Sequence, residues 1–123
     1  MKILLSIKPK YAEKILNGEK LYEFRRVIFK SPTVTKVVIY ASSPISKVIG
    51  EFDIEHVLSM GIEALWNKTM EHSGIDKELY DSYFDGKDVG YAIKVKHAQR
   101  YPEHRELHEY DIKYPPQSFA YLS

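Results

Sequence analysis

The sequence predicts an α+β domain: a five- to six-stranded sheet or small barrel with helices packed around it. Three observations carry this. Five or six short strand-like runs are interspersed with amphipathic helical stripes, without the regular βαβ alternation of a doubly wound sheet. The 123 residues suffice for one domain, residues 1–123, with one hydrophobic core. No repeat, low-complexity segment or linker divides the chain.

Ile3 to Ile7 reads as the first strand. Pro9 suits the first helical position, where its missing N–H costs nothing. Tyr11, Ala12, Ile15 and Leu16 then form the apolar stripe of a helix that Gly18 stops. Leu21 to Ile28 reads as a second strand, with Tyr22, Phe24 and Arg26 on one face and Leu21, Glu23 and Arg25 on the other. Lys36 to Ala41 is a continuous β-branched run, expected to be a central strand buried on both faces. Lys47 to Glu55 reads as a strand in which Gly50 marks a bulge or a close backbone approach.

Ile62, Leu65, Trp66 and Met70 make a helical stripe, with Trp66 expected in the core. After Ser73-Gly74, Asp76 is placed to cap a short helix whose inner face is Leu79, Tyr80 and Tyr83, with Ile75 and Tyr80 spaced as a hydrophobic staple. Tyr91 to Lys96 alternates as a strand with one wet face. Tyr101 to Pro116 reads as polar and irregular, and Ser118 to Leu122 as a closing strand.

Composition narrows the function classes. The chain has no cysteine, which removes disulfides and thiolate metal sites and fits a reducing, cytoplasmic location. No apolar run approaches membrane-spanning length, and Met1 to Ile7 is too short for a signal-peptide core with a cleavage site. Net charge is only +1, but it is unevenly spread. Residues 1–50 hold ten Lys/Arg and three Asp/Glu, whereas residues 51–123 hold eight and fourteen. Either one face is basic and attracts phosphates, or the halves neutralise each other across the fold.

The most informative feature lies in the second strand. A run resembling a core strand carries Lys20, Glu23, Arg25 and Arg26. Unpaired charge is expensive to bury, so such residues line a wet cleft or meet a partner. Glu23 is suited to accept from an exocyclic amine, and Arg25 to grip a phosphate or carbonyl with two N–H groups. A desolvated Lys20 would lose basicity and serve as base or nucleophile. The plain structural alternative is a Glu23–Arg25 ion pair on one strand face. If those two line a cleft, Arg26 points the other way, at the strand's wet end.

Lys8, Lys10 and Lys14 bracket the first helix, with Tyr11, Tyr22 and Tyr40 interleaved among the basic residues. Cations beside aromatics suit phosphate contacts and base stacking on a single strand. Ser42, Ser43, Gln117 and Ser118 are neutral hydrogen-bonding groups at strand ends, positions that face clefts but also serve turns. His104 and His108 stand four apart, yet without an obvious third ligand, so no metal and no cofactor is expected.

Tyr11-x-x-Lys14-Ile15-x-x-Gly18-x-Lys20-x-x-Glu23-x-Arg25 resembles the signature of the ASCH domain, within the PUA-like superfamily. Ile39 to Pro44, Val48 to Phe52 and Pro115 to Phe119 resemble a compact archaeal and bacterial subgroup of that family. The resemblance covers nearly the whole chain and implies a PUA-like barrel with a cleft between barrel and helices. It implies RNA or a modified nucleoside as partner, bound through Lys8, Lys20, Glu23, Arg25, Ser42, Ser43, Gln117 and Ser118. It also implies an enzymatic alternative, since similar proteins include an acetylcytidine amidohydrolase and a ribonuclease. Lys20, Glu23 and Arg25 would then do the chemistry. This chain departs from the amidohydrolase pattern, with Glu23 where that enzyme has Thr and His72 where it has Glu. A protein-interaction role would instead use the acidic stretch from Glu51 to Asp111.

Overall fold

The computed structural model describes residues 1–123. Lys2–Ile7 forms β1, Pro9–Leu16 α1, Tyr22–Arg25 β2, Lys36–Ala41 β3 and Lys47–Gly61 β4. Ile62–Thr69 forms α2, Lys77–Tyr83 α3, Val89–Arg105 β5 and Phe119–Leu122 β6. Short 3₁₀ turns occupy Met70–His72 and Leu107–Tyr110. All six strands join one sheet in the order β2-β5-β4-β3-β1-β6, with only β1 and β3 parallel. The sheet is not a closed barrel: β2 and β6 remain edges. The gap between them is spanned by a side chain, because Arg25 Nη2 donates to the Ser118 carbonyl at 2.8 Å.

Period-two alternation decides the two faces of the sheet. Ile3, Leu5 and Ile7 point into the main core with Val37, Ile39, Phe52 and the α1 residues Ala12 and Ile15. Leu4, Val38, Tyr40 and Val48 pack on the other face, beneath Leu107, Tyr110 and Ile112. β3 is buried on both faces, as its β-branched run predicts. A third cluster under α2 and α3 gathers Phe24, Leu65, Tyr80, Phe84 and Ala92. Trp66 is half-buried against it, 4.8 Å from the Tyr80 ring. Tyr80 is fully buried, and its hydroxyl donates to the Ile62 carbonyl at 2.7 Å.

Helix ends follow their sequence signals. Pro9 opens α1, and Gly18 adopts φ +86° just past its end. Asp76 caps α3 by accepting from the Leu79 N–H at 2.9 Å, and Ile75 packs on the cluster that holds Tyr80.

Three strand boundaries differ from expectation. β2 stops at Arg25, so Arg26 lies beyond the ladder and is exposed. β4 runs to Gly61, because His56, Val57 and Leu58 pair with Lys94, Ile93 and Ala92 although Glu55 and His56 interrupt the apolar pattern. β5 runs to Arg105 through a stretch that reads as irregular. Its pairing jumps from Gly50↔Arg100 to Val48↔Arg105, so Pro102, which has no N–H to give, falls outside the paired positions.

Gly50 meets both expectations made of it. The β3–β4 register shifts next to it, between Ile39 and Tyr40. A Cβ there would sit 2.6 Å from the Gln99 carbonyl oxygen and 2.9 Å from Leu16 Cδ2. Gly50→Ala should therefore destabilise the fold by about 1–3 kcal/mol, as overpacking does, with urea denaturation as the measurement. A change below about 0.5 kcal/mol, the range of ordinary surface substitutions, would contradict the close approach.

Candidate functional site

The site forms where the α1–β2 corner meets the turn before α3. After Gly18 the backbone folds back on the helix end, and both Glu19 and Lys20 donate their N–H to the Lys14 carbonyl at 3.0 Å. This aims the Lys20 side chain inward, where it is 2% exposed. Its Nζ donates to the Ser73 carbonyl at 2.5 Å. It also stands 4.8 Å from the Phe24 ring and 5.5 Å from that of Tyr11, near enough for cation–π attraction. Burial outweighs these partners: desolvation brings the Lys20 pKa down to about 8, with Glu23 opposing the shift and Lys14 adding to it.

β2 supplies the other charges. Glu23 pairs with Ile93 and Arg25 with Tyr91 across the β2–β5 ladder, so both side chains leave the strand on one face. Arg25 Nη1 donates to Glu23 Oε2 at 3.3 Å while Nη2 holds Ser118. The structural ion pair and the cleft are therefore the same arrangement. Arg25 commits two of its five N–H donors to these contacts, and the other three have no protein partner.

These groups line a cleft of about 340 Å³, within the usual size range of ligand sites. β1 contributes Ser6 and Ile7, followed by Lys8, and α1 contributes Tyr11. Ile75 leads into α3, which adds Leu79, Ser82 and Tyr83. Tyr83 accepts the Arg26 N–H at 3.2 Å, and burial raises its phenol pKa. Ser6 Oγ donates to the Pro116 carbonyl at 2.9 Å, which pins the segment leading into β6 beside the cleft.

Of the residues singled out in the sequence, Lys8, Lys20, Glu23 and Arg25 come together here. Ser118 joins through its carbonyl alone. Ser42, Ser43 and Gln117 do not line the cleft. Ser42 and Ser43 belong to the turn after β3, where the Ser42 N–H is spent on Ile7, and Gln117 is exposed. Exposed His72 lies outside the cleft too, offering only its carbonyl to the Leu21 N–H. His104 sits in β5 and His108 in the 3₁₀ turn, so they do not share a helix face, and Glu106 is engaged by Lys47. No group of three or more His, Asp or Glu stands in metal-ligating geometry.

Sequence reasoning missed Ser6, Ser73, Gly74 and Tyr83. Ser6 carried a usable signal, a lone hydroxyl in an apolar strand. Of the three residues expected on the inner face of α3, only Tyr80 is buried, whereas Leu79 and Tyr83 line the cleft and are exposed. Ser73 and Gly74 looked like a separator, because their partner Lys20 lies 53 residues away.

The ASCH domain family model matches residues 5–104. The chain is 36% identical over 124 residues to the large ribosomal subunit protein uL22 of Ureaplasma parvum, covering 98% of this chain but only 39% of that protein. It is 29% identical over 122 residues to an ASCH domain-containing ribonuclease of Zymomonas mobilis, covering 97% of this chain and 82% of that one. The crystal structure of ASCH from Zymomonas mobilis superposes with a TM-score of 0.90 at 27% identity, over 99% of this chain and 87% of the other.

Lys20 makes folding pH-dependent with a defined sign. Its folded pKa of about 8 lies below the unfolded value near 10.4, so between the two the unfolded chain holds more protons. Stability relative to Lys20→Met should therefore rise as pH increases from about 8 to about 10. Urea denaturation of both proteins at pH 7 and pH 10 measures it, and a flat difference would mean that the ammonium is not desolvated.

Proposed function

This chain belongs to the ASCH domain family, and from that premise we propose that it binds RNA, or a modified nucleoside, in the cleft lined by Lys20, Glu23 and Arg25. The observation that carries this reading is the cation–anion–cation series, with Lys20 and Glu23 buried and Arg25 half-buried, set among the rings of Tyr11, Phe24 and Tyr83. Arg25 and Lys8 offer donors to a phosphate, Glu23 offers an acceptor to an exocyclic amine, and exposed Tyr83 offers a stacking face. One relative supports an RNA-related role by name, the ASCH domain-containing ribonuclease. Ser118 contributes by holding Arg25 in place.

Binding should weaken steeply with salt, by about 0.7 log units per log unit of salt for each phosphate contacted on a single strand. Arg25→Ala should cost about 1–3 kcal/mol of affinity, the loss expected of a good bidentate contact. Arg26→Ala should leave specific binding nearly unchanged, because Arg26 lies beyond β2 and outside the cleft. Titrations at several salt concentrations, with melting curves for both variants, check this. Absence of binding to any single-stranded or structured RNA at low salt would overturn the reading, and control of binding by Arg26 would overturn the site.

One observation favours a second reading, in which the cleft also cleaves RNA. With its pKa near 8, Lys20 is partly neutral at physiological pH and so able to accept a proton, as a general base must. Arg25 would hold the phosphate as charge builds on it. Cleavage of labelled RNA should then rise with pH through about 8, and Lys20→Met should abolish it while the protein stays folded. Turnover that survives Lys20→Met would remove Lys20 from the chemistry.

A further inference from the structure

Beside the cleft lies a second hollow of about 360 Å³, between α1 and the turn that precedes α3. The two share a wall: Tyr11, Ile75 and Leu79 line both. Lys10 and Lys14, one helical turn apart on α1, face the new hollow. Lys10 is exposed and has no ion-pair partner. Lys14 Nζ donates to the Gly74 carbonyl at 3.1 Å and keeps two further donors. Asp76 is the sole carboxylate in the lining, and one of its oxygens is taken by the Leu79 N–H. The hollow is therefore cationic. Met70 and Leu79, 52% and 46% exposed, add apolar surface to its lining.

We propose that the two hollows form one groove and that the second takes the next phosphate of a single-stranded RNA chain whose first nucleotide occupies the cleft. This rests on the RNA-binding reading above. Cations alternate with apolar surface along the groove: Lys20 and Arg25, then Tyr11 with Leu79, then Lys10 and Lys14. A single strand presents the same alternation of phosphate and base. An acidic peptide would supply charge without flat apolar faces, and a lone nucleoside would leave the second hollow empty. The preferred ligand is thus an oligonucleotide rather than a mononucleotide.

The groove depends on Gly74. It adopts φ +73°, and a Cβ there would lie 2.5 Å from Lys20 Cγ. Only a residue without a side chain lets this turn offer consecutive carbonyls, Ser73 to Lys20 and Gly74 to Lys14, at the junction of the two hollows.

Titration of the four 5′-mononucleotides and the four homotetranucleotides at two salt concentrations tests the proposal. The unaltered protein should bind its best tetranucleotide at least fivefold more tightly than the matching mononucleotide. The paired change Lys10→Ala and Lys14→Gln should weaken tetranucleotide binding roughly tenfold and lower its salt slope by about 0.7 per lost phosphate contact. Mononucleotide affinity should change less than twofold. Equal affinity for both lengths, or equal weakening of both by the paired change, would overturn the groove while leaving the cleft standing. Binding of neither length would overturn the RNA-binding reading and the groove with it.

Discussion

The site depends on one hydrogen bond, from the ammonium of Lys20 to the carbonyl of Ser73. A lysine that is 2% exposed is a costly element in a domain of this size, because its charge must leave water. The Ser73 carbonyl and the faces of Phe24 and Tyr11 compensate only in part, and the remainder appears as a lowered pKa. The same bond ties the α1–β2 corner to the turn between α2 and α3, which sequence order alone would leave unconnected. The Leu21 N–H adds a second tie, to the His72 carbonyl at 2.9 Å. Stability is thus given up at Lys20 for a fixed geometry at the cleft, the pattern of a perturbed ionisable group in a cleft that marks a candidate site.

Arg25 carries a comparable double role. Its guanidinium spans the open side of the sheet to Ser118 and also balances Glu23 inside the cleft. Arginine suits both roles, since its planar fork offers five donors in fixed directions and stays charged. A lysine would offer its donors from one freely rotating nitrogen, without the fixed fork that reaches Ser118 and Glu23 together.

The two accounts of the charge asymmetry each hold for part of the chain. Lys36 pairs with Glu51 and Asp53, and Lys47 with Glu106, so these cations of the basic half are neutralised by the acidic half. Lys8, Lys10, Lys14 and Lys20 have no carboxylate within ion-pair distance, and they cluster at the two hollows. Net charge near zero therefore conceals a local positive field, the kind that raises the concentration of anionic ligands near a cleft.

Local patterns by themselves determined the α+β class, the start and stop of α1, the Asp76 cap, the double burial of β3 and the close approach at Gly50. Each rests on residues near one another in the chain, where sterics and period-two or period-3.6 spacing act directly. Glu23 and Arg25 were legible for the same reason, being two apart on a strand. Tertiary structure decided the rest. The lengths of β4 and β5 come from pairing with each other, since backbone groups bond whatever the side chains, and neither strand's own pattern records its partner. Whether the sheet closed depended on where β2 and β6 finally lay. That Ser42, Ser43 and Gln117 stand apart from the cleft while Ser6, Gly74 and Tyr83 line it or border it is a matter of contacts made across tens of residues. Such contacts leave no periodic trace, so the chain's chemistry was readable residue by residue while its arrangement into one groove was not.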